Sequence, residues 1–159
     1  YDTEMNLVPE LAEGYELASE TEWIVHLREG VVFHDGTPLN ADAVIYSIDR
    51  VKNDPENRWY DQYSFVDSVS VIDDYTIKIV TKVPYAPTLS TLADIRFACI
   101  VSPAAEDLDE EPVGTGPFKF ASYEKDVSLT LDKNENYWNG PVKSDGAIVH
   151  YISQPETRL

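Results

Sequence analysis

Cysteine occurs once, at Cys99, and histidine only three times, at His26, His34 and His150. One thiol allows no intrachain disulfide and no thiolate cluster for a metal. The three histidines have neither the short helical spacing nor the carboxylate and thiol companions of a zinc site, so no metal site is expected. Bases are scarce as well: 12 Lys and Arg stand against 29 Asp and Glu, a formal charge of -17. That imbalance argues against nucleic acid or an anionic lipid surface as a partner. No apolar run approaches the length of a membrane-crossing helix, and no charged start followed by an apolar stretch marks the N-terminus as a signal segment.

What is present is material for a folded globule, with 43% hydrophobic and 11% aromatic residues in a chain of 159. The acids are dispersed, apart from short groups such as Asp73-Asp74 and Asp107 to Glu111, which fits a solvated acidic surface rather than an acidic tail. Two readings of that surface stand. One is adaptation to high salt, where counterions screen the self-repulsion; the other is an ordinary acidic secreted domain.

The densest pattern runs from Trp23 to Lys52. Trp23, Val25 and Leu27 alternate with Ile24, His26 and Arg28, the period of a strand with one face on a core. A second apolar run, Val31-Val32-Phe33, leads into His34-Asp35-Gly36-Thr37-Pro38, a turn by composition. A helix is expected from Asn40 to about Asp54: Asn40 suits the N-cap, Asp42 the first turn, Arg50 and Lys52 the last, and Val44, Ile48 and Val51 share a face. Upstream, Tyr1 to Glu20 reads as an extended entry with weak helical character.

Downstream, Val69 and Val71, then Ile77 and Ile79, alternate across Asp73-Asp74 as a hairpin. Pro87 to Ala93 fits a short helix, Ile100-Val101 a brief buried strand, and Ala104 to Glu111 a polar, partly helical linker. A second hairpin is expected where Phe118 and Phe120, then Val127, Leu129 and Leu131, flank Glu124-Lys125-Asp126, and Ala147, Val149 and Tyr151 mark one more strand, the start of a crossover. The fold class is therefore α+β, with both hairpins packed on the helix. Its expected core holds Trp23, Val25, Leu27, Val44, Ile48, Ile77, Ile79, Phe118 and Leu129.

Catalytic constellations are wanting. His34-Asp35 are neighbours on a turn and do not converge on one substrate atom. Gly114-Thr115-Gly116-Pro117 lacks the Lys and following helix of a phosphate loop and reads as a close-packed turn. No serine-hydrolase elbow occurs, so neither a catalytic residue nor a cofactor is expected. Binding has better candidates. Trp59, Tyr60 and Tyr63 follow the turn-rich stretch Asn53 to Asn57, and rings carried on a loop either line a ligand cleft or pack into the core. Arg96 is a rare cation here; it serves either a ligand carboxylate or a surface pair with Asp94 or Glu106.

Leu27 to Val31, Phe33 to Leu39 and Ala41 to Val44, followed by Pro112 to Phe118, Asn134 to Trp138 and Pro155 to Arg158, resemble in order the signature of the ABC-transporter extracellular solute-binding proteins of the oligopeptide, dipeptide and nickel-binding family, family 5. One departure is Ala43, where the pattern usually carries a second acid. The resemblance implies a periplasmic-binding-protein-like (type II) fold, with residues 1–159 a single domain excised from the N-terminal lobe of a two-lobed protein. It implies capture of a peptide or similar small polar solute outside the membrane and delivery to ABC permease transmembrane subunits. A nickel or other metal chelate, an oligosaccharide, or a cell-surface sensor role are the alternatives. It further implies a monomer at the extracellular face of the membrane or in the periplasm, lipid-anchored through a segment outside this chain. Trp59, Tyr60, Tyr63 and Arg96 then fall on the ligand side.

Overall fold

The computed structural model describes residues 1–94 and 98–152. The expectations for Arg96 and for the block Pro155 to Arg158 lie outside the described residues. Two antiparallel sheets organise the rest. The first has the order β1-β2-β4-β3, from β1 (Ala12–Ser19), β2 (Glu22–Leu27), β3 (Val66–Asp73) and β4 (Thr76–Thr81). The second has the order β5-β6-β7, from β5 (Phe118–Glu124), β6 (Ser128–Lys133) and β7 (Gly146–His150). Helices α1 (Ala41–Lys52) and α2 (Thr88–Leu92) complete the α+β architecture.

Helix α1 begins as its sequence demands. The Asn40 side chain accepts from the amide of Ala43 at 3.0 Å, and the Ala41 amide donates to the carbonyl of Asp74, tying the helix start to the β3–β4 turn. Val44, Ile48 and Val51 are buried along one face, with Ala41 and Ala43 beside them. Burial also accounts for the departure at Ala43, since an acid there would lie among Leu39, Val44 and the other core side chains. Against this face sit Val25, Leu27, Ile77 and Ile79 of the first sheet, together with Val31, Phe33 and Leu39 from the turn before α1. Gly36 takes φ 86 within that turn, a conformation that favours glycine.

Several expectations are corrected. Residues 12–19 of the entry segment form β1, because Tyr15 and Leu17 find cross-strand partners in Val25 and Trp23. Ile100-Val101 is not a strand: its backbone is satisfied by a helix side chain, Ser47, whose Oγ accepts from the Val101 amide at 3.0 Å and donates to the Val101 carbonyl at 3.2 Å. Ala104 to Glu111 forms turns rather than helix, and the Asp107 carboxylate accepts from the amides of Asp109 and Glu110. Trp23 is half-buried at the margin of the core. Phe118 and Leu129 are also half-buried but fall outside the core, because the second hairpin does not join the first sheet under α1; it recruits β7 instead. The last expected strand forms as β7 and pairs antiparallel with β6. A Cβ at Gly146 would stand 2.6 Å from the Leu131 carbonyl oxygen, so the close approach of β7 to β6 requires glycine there.

The two sheets are joined through loops. The His34 amide donates to Gly114 O, the Ser102 amide to Val113 O and the Asn134 amide to Pro117 O, so the segment between α2 and β5 is stitched to the turn before α1 and to the end of β6.

Candidate functional site

The aromatic loop leaves α1 at Asn53 and is shaped by its own side chains. Asp54 Oδ1 accepts from the Glu56 amide and Asn57 Oδ1 from the Trp59 amide, each near 3 Å, which turns the chain back along the helix end. A short 3-10 helix over Tyr60–Tyr63 then leads into β3.

This geometry separates the three rings. Trp59 is half-buried against the core, with the Arg58 guanidinium 4.4 Å from its ring centroid. Tyr60 is the most open, 38% exposed. Tyr63 is 2% exposed and belongs to the core; burial, with a smaller contribution from the charge of nearby Cys99, pushes its phenol up to about 12. Ala98 and Ile100 pack on the core on either side of Cys99.

Tyr60 and Tyr63 both line an open depression of about 200 Å³ at the C-terminal end of α1. Lys52, Ser64, Asp67 and Lys82 share its wall. Two ammonium groups against one carboxylate give this spot a local positive balance on a chain whose formal charge is -17. An anionic head group there would meet two point-charge donors beside the tyrosine rings. Sequence alone placed Lys52 only as a helix-end cation and did not single out Lys82. Their meeting depends on β3 and β4 returning under the end of α1, which no local pattern reveals.

The residues weighed for chemistry are occupied otherwise. The histidines lie on separate elements: His26 on β2, His34 in the turn before α1, His150 on β7. His34 Nε2 lies 3.0 Å from Gly116 O, and the Gly114 amide donates to His34 Nδ1 at 3.4 Å, the pairing of an Nε2–H tautomer. Asp35 accepts from Ser102 Oγ at 2.5 Å and from the hydroxyl and amide of Thr37 at 2.6 and 2.9 Å. Desolvation opposes its charge, but these hydrogen bonds outweigh it and hold the carboxyl below the usual 3.8. Both side chains thus lock turns together. Among the described residues no helix is long and apolar enough to cross a membrane.

Comparison with known proteins agrees with this architecture. The family model "Bacterial extracellular solute-binding proteins, family 5 Middle" matches residues 6–159. The glutathione-binding protein GsiB of Pectobacterium atrosepticum is 35% identical over 167 residues, an alignment that takes in 99% of this chain and 32% of that protein. Among solved structures, NikA from Brucella suis in complex with Fe(III)-EDTA superposes with a TM-score of 0.88 at 28% identity, over 99% of this chain and 33% of that one. The periplasmic binding protein DppA from Helicobacter pylori in complex with the peptide STSA gives 0.82 at 29% identity, over 95% and 35%. The chain thus spans about a third of the length of the relatives it matches. With the six signature stretches in order, the strand and capped helix the first of them encode, and a family model matched almost end to end, this chain belongs to the bacterial extracellular solute-binding proteins of family 5.

Proposed function

We propose that this chain is part of the N-terminal lobe of a two-lobed, monomeric solute-binding protein that serves an ABC importer. The protein captures a small polar solute outside the membrane and presents it to the permease, held to the surface by a lipid anchor outside this chain. It performs no covalent chemistry: lobe closure around the solute stabilises one conformer, which the permease recognises.

The observation that carries this reading is the family match across residues 6–159. The chemistry of the relatives' ligands narrows the solute. Glutathione, the peptide STSA and an EDTA chelate all carry carboxylates. A protein with a formal charge of -17 needs local cations to hold such a group, and the depression beside Tyr60 brings Lys52 and Lys82 together. Peptide is the leading solute, with a chelated metal second because a chelate occupies the neighbouring NikA structure. Trp59, Tyr60 and Tyr63 furnish the aromatic side of the site, Tyr63 from beneath, and Arg96 supplies a bidentate guanidinium for a carboxylate.

The test is to purify the full-length protein from its host, denature it and identify the released solute by mass spectrometry. A short peptide or a carboxylate chelate supports the proposal. A nucleotide, or a product formed from an added substrate, contradicts it.

A further inference from the structure

Asparagine is followed by glycine at one place in the chain, Asn139-Gly140, in the connection between β6 and β7. Both residues are exposed, and among the described residues the Asn139 side chain makes no hydrogen bond. A Cβ placed on Gly140 would meet nothing within 4 Å, so the backbone nitrogen there stands in open space. Its amide donates to Tyr137 O at 3.3 Å, beyond the usual range of about 2.7–3.2 Å. Comparable sites are held. Every other asparagine precedes a residue with a side chain, which crowds the following nitrogen. Asn40 caps α1, the Asn57 carboxamide accepts from the Trp59 amide, and Asn134 is buried with its Nδ2 on Gly116 O. Asp35, before Gly36, is fixed by Ser102 and Thr37, and Gly146, after Asp145, is packed against Leu131.

We propose that Asn139 is a modification site of this protein, converted without an enzyme into aspartate and isoaspartate through a succinimide. The Gly140 amide nitrogen, on losing its proton, attacks Asn139 Cγ. The new N–Cγ bond closes a five-membered ring, the Cγ–Nδ2 bond breaks, and the side-chain nitrogen leaves as ammonia. Water, the co-reactant, then adds to one of the two ring carbonyls. Opening at the N–Cγ bond leaves an aspartate, and opening at the bond to the main-chain carbonyl carries the chain through Cγ as isoaspartate. Nothing is oxidised or reduced, and either product adds a negative charge to a chain already at -17. Position 139 follows Trp138, whose ring faces the Arg28 guanidinium at 4.8 Å. An isoaspartate there lengthens the backbone beside the contact that ties the end of β2 to the turn after β6. The proposal holds whichever solute the protein captures.

The experiment incubates full-length protein at about pH 8.5 and about 37 °C beside a synthetic peptide of the sequence Asn134 to Asp145, and follows both by proteolysis and mass spectrometry. Conversion raises the mass of the fragment carrying position 139 by about 1 Da. The expected rate in the folded protein is within about tenfold of the peptide's, because the carboxamide is reached without opening the fold. The converted fragment should separate into two species, matching synthetic aspartate and isoaspartate peptides. Asn139→Gln, whose cyclisation needs a larger ring, should show no gain over the same period. A rate slower than that bound, or an equally fast gain at another asparagine of residues 1–159, overturns the proposal. So does a product that is aspartate alone, which is the mark of direct hydrolysis. Solute identification leaves these rates untouched, so failure of this proposal and failure of the proposed ligand are separately visible.

Discussion

The Nε2 of His34 lies 3.0 Å from the carbonyl oxygen of Gly116, a residue 82 positions further along the chain. Asn134 Nδ2 donates to the same oxygen at 2.9 Å, so one carbonyl gathers the turn before α1, the Gly114–Gly116 turn and the end of β6. Three of the family's signature stretches, Phe33 to Leu39, Pro112 to Phe118 and Asn134 to Trp138, are therefore joined by direct hydrogen bonds.

Removing the imidazole should loosen that joint. His34→Ala leaves the Gly114 amide without its side-chain acceptor and Gly116 O with Asn134 alone, for an expected loss of about 1–3 kcal/mol. Denaturant unfolding of wild type and His34→Ala measures it, with solute affinity changed far less than stability. An unchanged midpoint would show that the contact is incidental.

Asp35 gives an acid limb. Its carboxyl is held below the usual 3.8, so the stability it contributes is present above about that pH and lost as pH falls through the folded-state value. Asp35→Asn should be less stable than wild type at neutral pH and should lose less on acidification. Melting temperatures from pH 7 to 2.5 compare the slopes, and parallel curves would contradict the assignment.

Tyr63 gives the alkaline counterpart. Its phenol is raised to about 12, so the stability it contributes is intact below pH 10 and is lost as pH rises from 10 toward 12. Tyr63→Phe should cost about 1 kcal/mol at pH 7 yet fall less steeply above pH 10 than wild type. Unfolding at stepped pH decides between the two curves. Identical alkaline limbs would place the hydroxyl in water.

A surface of 29 acids and 12 bases repels itself, and the screening length falls from about 10 Å at 0.1 M salt to about 3 Å at 1 M. The melting temperature is therefore expected to rise with potassium chloride into the molar range. A flat or falling trend would mean that paired cations already neutralise the surface.

Local periodicity carried much of the fold. The alternation around Val25, the Asn40 cap with its Ile48 face, and both hairpins stand where their patterns put them. What escaped depends on distant partners. β1 has no buried residue and is a strand because β2 lies beside it, and Ile100-Val101 is held by Ser47, which no run of apolar residues foretells. The expected core mixed two layers, since Leu129 has the same alternation as Ile79 and only the sheet order separates them. At the site, the spacing of Trp59, Tyr60 and Tyr63 announced a cluster, but not that the last ring turns inward while the second faces solvent. The approach of Lys52 and Lys82 to one depression was likewise hidden, because they lie on opposite sides of a hairpin.

Tyr60 and Arg96 are expected to contact a carboxylate-bearing solute. Isothermal titration calorimetry of full-length wild type, Tyr60→Ala and Arg96→Ala, with the solute recovered from the host-purified protein, tests it most directly. Tyr60 is open enough to be replaced without hollowing the core, so lost affinity there reports contact rather than misfolding. The expected result is a fall of about tenfold for Tyr60→Ala and of tenfold to a hundredfold or so for Arg96→Ala, with melting temperatures near wild type. Wild-type affinity in both variants would contradict the claim and place the solute elsewhere on the protein.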